Sequence, residues 1–83
     1  MAKRAEDLRP SKHARRRMRL YRVGLDDLAH VVAHPESETP ARESGRIEID
    51  GPTPDGRRLR LIVPQESPEV IVTIYPLSPP RRR

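Results

Sequence analysis

The chain has 83 residues and a formal net charge of +5, and it contains no cysteine, tryptophan or phenylalanine. This length allows one small domain without disulfides or cysteine-type zinc sites, and with too few aromatic side chains for the stacking platforms of common single-stranded RNA readers. No stretch approaches the roughly twenty apolar residues of a membrane span, so we expect a cytoplasmic location and no membrane partner.

The first predicted element is a basic helix. Ser11 is a favourable N-cap, and the residues after it, up to Arg22, include neither Gly nor Pro. Their spacing gives one apolar stripe, formed by Ala14, Met18 and Tyr21. From Arg9 to Arg22 there are seven basic residues and no acidic one. Arginine bias in the genome could account for the number of arginines, but their clustering suits a polyanion or an acidic protein partner.

A second helix and a loop follow. Asp26 can cap this helix, and Pro35 ends its pattern. Its predicted buried side chains are Leu28, Val31 and Val32. Residues 35–45 are polar and interrupted by proline, which predicts a surface loop.

After residue 45 the periodicity alternates, which predicts three strands in the stretches RIEID, RRLRLIV and VIVTIY. In the second stretch, Arg58 and Arg60 lie opposite the apolar residues. The short connections, one with Asp55-Gly56, predict antiparallel hairpins. The chain should therefore be an α+β domain with two N-terminal helices packed on one face of a three-stranded antiparallel sheet. The expected core contains Ala14, Met18, Leu28, Val31, Ile47, Leu59, Leu61 and Val72.

The predicted domain boundaries follow from these elements. Residues 11–76 should form the folded domain. Residues 1–10 should be a flexible basic segment, and the Pro-rich and Arg-rich residues 77–83 should be a disordered tail.

Several short motifs resemble a known family. SKHARRRM is similar to the opening helix of small bacterial domains of formerly unknown function, whose signature is Ser-x-His-Ala followed by Arg-Met. DDLAHVVAHP resembles their second helix, and PDGRRLRLIV and VIVTIYP resemble their closing strands. Those domains are distant relatives of the RelE/ParE and BrnT-type toxins of toxin–antitoxin systems. The resemblance covers about residues 11–76 and implies a RelE/ParE-like fold, although the link in MRLYRVGL is longer than usual.

The first helix also carries candidate catalytic groups. His13 and Arg17 are four residues apart and share a helix face. RNA cleavage without a metal requires proton transfer to and from ribose and leaving-group oxygens, with fixed cations at the phosphate. The candidate catalytic residues are His13, Arg17, Arg58, Arg60 and Tyr75, and the candidate nucleic-acid-binding residues are Lys12, Arg15, Arg16 and Arg19. Thr73 shares a side of the last strand with Tyr75, and the sheet register decides whether the two strand arginines lie there too.

The resemblance implies a toxin-type RNA-binding domain, with metal-independent endoribonuclease activity as one hypothesis and with RNA and an acidic antitoxin as expected partners. The alternative is a non-catalytic module of the same fold that binds nucleic acid or protein. His30 and His34 have the i, i+4 spacing of a zinc-binding pair. Because no third ligand accompanies them in the sequence, and the end of a helix favours histidine anyway, we expect no metal or cofactor.

Overall fold

The computed structural model describes residues 5–77, in which the first helix, α1, spans Lys12–Tyr21. The predicted cap is confirmed: the Ser11 hydroxyl accepts the Ala14 N–H at 3.0 Å and donates to the Val72 carbonyl at 2.7 Å. The helix ends at Arg22, which adopts the left-handed conformation with φ 56°. A single serine thus starts the helix and attaches it to the strand region.

The second helix, α2, spans Leu25–Ala33 and begins before the position that the sequence predicts. Its N-cap is Gly24 and not Asp26. The Asp27 carboxylate, inside the first turn, accepts the Gly24 N–H at 2.9 Å. An aspartate carboxylate caps the helix, as expected. It belongs to Asp27, the third residue of the helix, which accepts a hydrogen bond from the backbone of the N-cap residue.

The strands among residues 5–77 are numbered in chain order, and four of them form one antiparallel sheet: β2 Ser37–Pro40, β3 Arg46–Pro52, β4 Arg58–Pro64 and β6 Thr73–Leu77. They are adjacent in the order β2-β3-β4-β6. The α+β class is confirmed, but the prediction of three strands is wrong because β2 lies within the expected loop. All four β2 residues are exposed, so no apolar alternation marks the strand. Backbone pairing with β3 holds it in place.

The predicted third strand is divided at Val72 into β5, Val70–Ile71, and β6. Thr73 pairs with Ile62 across the sheet, and the Val72 N–H also donates to the Ile62 carbonyl at 2.8 Å. Two residues therefore oppose one, as in a β-bulge. The bulge shifts the alternation, so Ile71 and Ile74 are fully buried and Val72, which we expected in the core, is only half-buried.

Residues 5–10, expected to be a flexible segment, are part of the fold. Ala5–Asp7 form a 3₁₀ turn, Leu8 is buried, and β1, Arg9–Pro10, pairs in parallel with β5. This attachment depends on Leu8 and on backbone hydrogen bonds. The basic composition of the segment indicates neither of them. At the other end, Leu77 belongs to β6 and not to the tail. The remainder of both predicted terminal segments, residues 1–4 and 78–83, lies outside the described residues.

Both helices contribute to one core on one face of the sheet, as predicted. The core cluster comprises Leu8, Ala14, Val23, Leu28, Val31, Ile49, Leu59, Leu61, Val63, Ile71 and Ile74. Met18 and Ile47, predicted as core residues, pack against this cluster but are only partly buried. Complete burial of one such aliphatic side chain stabilises a fold by about 1.5–3 kcal/mol. Within residues 5–77 no helix is long and apolar enough to cross a bilayer.

Candidate nucleic-acid-binding surface

The sheet register decides which side chains share the open face, the side of the sheet opposite the core. Tyr75 pairs with Arg60, and Thr73 pairs with Ile62. Directly paired residues of antiparallel strands lie on the same face. Tyr75 and Thr73 therefore lie on the side of β4 that carries Arg58 and Arg60, which answers the question that the sequence left open.

The two β4 arginines are engaged by carboxylates. Arg60 donates to both carboxylate oxygens of Asp50, at 2.8 and 3.0 Å, and lies 3.5 Å from Glu48. The hydrogen bonds that Arg60 donates to the Asp50 carboxylate raise the pKa of Arg60 above its usual value. Arg58 forms an ion pair with Glu36. The two β4 arginines, which we predicted to be catalytic, thus have their charge neutralised within the protein, which weakens them as phosphate ligands.

Arg17 joins α1 to the free edge of β6. Its Nε donates to the Ile74 carbonyl at 2.7 Å, and its Nη2 donates to the Tyr21 hydroxyl at 3.0 Å. Its guanidinium carbon lies 5.3 Å from the Tyr21 ring centroid and 4.9 Å from that of Tyr75. Such contacts with two aromatic rings are cation–π interactions. The structure brings Arg17 and Tyr75 together, as the sequence hypothesis requires, but Arg17 also fixes the position of the helix.

The remaining candidate cations form a stripe along the solvent side of α1. Lys12, Arg15, Arg16 and Arg19 are all exposed and follow the i, i+3, i+4, i+7 spacing of one helix face. We call this set the α1 basic face. Arg15 donates to the Pro10 carbonyl at 3.3 Å. Within the part of the chain that the structure describes, the other three side chains form no hydrogen bond or ion pair.

A groove of about 420 Å³ adjoins this helix on the open face of the sheet. Its lining includes His13, Arg42, Arg46, Glu48, Thr73 and Tyr75. Thr73 is 8% exposed, and its hydroxyl has no hydrogen-bond partner among residues 5–77. The groove thus contains one unpaired hydroxyl, a phenol, a histidine and two arginines, one of which, Arg46, pairs with Glu43.

Sequence reasoning did not identify Arg42 and Arg46 as groove residues. Arg46 is the first residue of β3, and Arg42 lies in the β2–β3 connection, which the unpredicted strand β2 brings against the sheet. No sequence pattern indicates that proximity, because the residues between the two strands are polar and lack periodicity. His13 is exposed and lines the groove from α1. Histidine is the residue type that most readily transfers protons near neutral pH.

These features define the chain as a small α+β domain with a cationic helix face beside a groove on an antiparallel sheet. The chain belongs to the family described as Domain of unknown function (DUF4258), whose model matches residues 11–76. Neither the comparison with curated proteins nor the comparison with solved structures gives a match. The family assignment carries no activity, so function must be argued from the side chains.

Proposed function

We propose that this domain binds RNA through the α1 basic face. The proposal rests on the contrast between two groups of arginines. On the sheet and in its β3–β4 hairpin, four arginines each pair with a carboxylate: Arg46, Arg57, Arg58 and Arg60. On α1, Lys12, Arg16 and Arg19 have no such partner within residues 5–77. Unpaired, exposed cations in a row bind phosphates and release counterions from a nucleic acid, which is the main source of affinity.

RNA is the preferred polyanion because of the resemblance to RelE/ParE-like and BrnT-type toxins. The groove supports this choice, since it places a hydroxyl and a phenol beside the cationic helix, where they can contact a ribose and a base. An acidic antitoxin is the corresponding protein partner, because its carboxylates would match the same unpaired cations.

Binding can be tested by fluorescence anisotropy with a labelled single-stranded RNA at several salt concentrations. The variant Arg16→Gln/Arg19→Gln removes two unpaired charges, and the control Arg58→Gln/Arg60→Gln removes two paired charges. The slope of log affinity against log salt is negative, and for single strands each lost phosphate contact lowers its magnitude by about 0.7. We expect a decrease of about 1.4 for the helix variant and no change for the sheet variant. Equal changes of the salt slope in both variants would refute the proposal that RNA binds specifically to the α1 basic face.

The position of His13 supports a second candidate activity, metal-independent RNA cleavage. His13 and Tyr75 line the same groove as Thr73, whose hydroxyl has no partner among the described residues. In this mechanism His13 either removes the proton of the attacking 2′-hydroxyl as the base or protonates the leaving 5′-oxygen as the acid. The groove arginine Arg42 stabilises the charge that develops on the phosphorane. The products would carry 2′,3′-cyclic or 3′-phosphate ends.

Cleavage is tested with labelled RNA and purified protein in EDTA. His13→Ala should lower the rate by roughly 10²-fold or more while leaving RNA affinity nearly unchanged. His34→Ala, which removes another exposed histidine, is the matched control and should retain full activity. Cleavage that EDTA abolishes would exclude this mechanism. RNA that is bound but remains intact, with and without Mg²⁺, would identify the non-catalytic module.

A further inference from the structure

Two histidine rings lie together at the end of α2, away from the residues used above. His30 and His34 are one helical turn apart, and their ring centroids are 4.5 Å apart with 33° between the ring planes. His34 is exposed and His30 is half-buried, so solvent reaches the pair. His30 lies in the last turn of α2, and His34 is its C-cap. The i, i+4 spacing of the two histidines is the one that binds zinc in metalloprotease helices.

The hydrogen bonds of both rings determine which nitrogen is available. His30 Nδ1 lies 2.8 Å from the Pro52 carbonyl, and His34 Nδ1 lies 3.2 Å from the His30 carbonyl. A carbonyl oxygen can only accept, so Nδ1 carries the proton in each ring. The lone pair of each neutral ring is therefore on Nε2. A backbone carbonyl that holds one ring nitrogen while the other faces a metal is the usual support of a histidine ligand.

We propose that His30 and His34 bind one divalent ion of the late first transition row through their Nε2 atoms, with Cu²⁺ bound most tightly. Metal–imidazole bonds of about 2.0–2.1 Å allow one ion to bridge two rings at this separation after a small rotation of the exposed His34 side chain. Imidazole suits copper, nickel and zinc, and affinity rises towards Cu²⁺ in this series.

The site supplies two protein ligands, and water completes the coordination. Among residues 5–77 no group of three or more His, Asp or Glu side chains is arranged to hold a metal, so this is an open site and not a closed structural zinc site. His30 contacts Pro52 at the end of β3, so an ion that bridges His30 and His34 would fix the end of α2, which this hydrogen bond already joins to the sheet. Bound metal should therefore raise the thermal stability of the domain.

Isothermal titration of untagged protein with CuCl₂ tests the site, with glycine as a weak competing ligand. We expect one ion per chain and a rise in Tm of about 5 °C at saturating Cu²⁺. His34→Ala should weaken Cu²⁺ binding by about 10-fold or more and remove the rise in Tm. Ni²⁺ should bind more weakly than Cu²⁺ to the same residues.

His13→Ala is the matched control, because His13 is the one histidine of the chain outside the proposed site. It should bind Cu²⁺ like the wild type. His30→Ala, which loses the Pro52 contact as well, is compared by titration only after circular dichroism has shown that it folds. Unchanged Cu²⁺ affinity in His34→Ala, or loss of binding in His13→Ala alone, would overturn the proposal. A metal-dependent rise in Tm that persists in His34→Ala would do the same.

Discussion

At the scale of single residues, Asp55 shows how a turn can keep a carboxylate ionised in acid. The hydroxyl of the buried Thr53 donates to Asp55, and the Arg57 Nε lies 3.0 Å from its Oδ2. Together these hydrogen bonds lower the pKa of Asp55 from 3.8 to about 2, and the hydrogen bond from Thr53 has the largest effect. The carboxylate is exposed, so its contribution to stability is modest.

This pKa predicts a dependence of stability on pH. Because the folded-state pKa is below the unfolded value, the ionised group stabilises the fold above about pH 4, and the contribution disappears as the pH falls through about 2. Asp55→Asn should therefore have a lower Tm than the wild type at pH 6, with a smaller difference at pH 2. Thermal melts followed by circular dichroism measure both values. An identical difference at both pH values would contradict the assignment.

Gly51 is a second residue whose role is visible only in the structure. A Cβ atom at this position would lie 3.1 Å from the His34 carbonyl oxygen and 3.2 Å from the Val31 Cγ1. The end of α2 therefore lies directly on the backbone of β3. A larger residue would push the helix from the strand, so the lack of a side chain sets their spacing.

At the scale of elements, Arg57 connects the end of α1 to the β3–β4 hairpin. Its Nη1 donates to the Tyr21 carbonyl at 2.9 Å, and its Nη2 donates to the Arg22 carbonyl at 3.1 Å. The last carbonyls of a helix have no partner within the helix. In this domain the Arg57 guanidinium, which is distant in the sequence, is the partner of the carbonyls at the end of α1.

We expect Arg57→Ala to destabilise the domain by about 1–2 kcal/mol, since hydrogen bonds that involve a charged group are stronger than neutral ones. The control is Arg46→Ala, which breaks an exposed i, i+3 pair with Glu43 and should cost under about 1 kcal/mol. Urea unfolding at neutral pH compares the two variants. Equal losses would show that Arg57 acts only as a surface charge.

The helices could be predicted because their signals are local. Ser11 caps α1 within one turn, and the buried residues of both helices recur at helical spacing. The strand β2 could not be predicted, since all its side chains are exposed and its stability comes from pairing with β3. The bulge at Val72 was also hidden, because an uninterrupted β-branched run gives no sign of a change in register.

The candidate site was predicted less completely than the fold. Alternation correctly placed Arg58 and Arg60 opposite the core, but their partners are distant in the sequence: Glu36 directly precedes β2, and Asp50 lies in β3. Ion pairing between strands depends on the sheet register, which composition does not reveal. The basic helix could be identified in advance because its exposed cations are contiguous in the sequence.

At the scale of the whole molecule, the fold extends beyond residues 11–76. Leu8 is 5% exposed and belongs to the core cluster. We expect Leu8→Ala to cost about 2–5 kcal/mol in unfolding free energy, the usual range for a buried leucine. Leu20→Ala is the matched control, because Leu20 is 68% exposed, and should change stability by less than about 0.5 kcal/mol.

Chemical denaturation of both leucine variants measures these free energies. A chain that starts at residue 11 should be destabilised at least as much as Leu8→Ala, because it also lacks β1. If Leu8→Ala were no less stable than Leu20→Ala, the N-terminal residues would not be part of the cooperative unit.

The two edges of the four-stranded sheet differ in their ability to accept another strand. Along β6 and the preceding bulge, the carbonyls of Val72 and Ile74 accept hydrogen bonds from Ser11 and Arg17. A fifth strand on that side would first have to displace α1 from the edge. The opposite edge, β2, is exposed along its length. A strand from another chain can therefore be added only at the β2 edge of the sheet. There the charge of Glu38 and the missing amide hydrogen of Pro40 both oppose its addition.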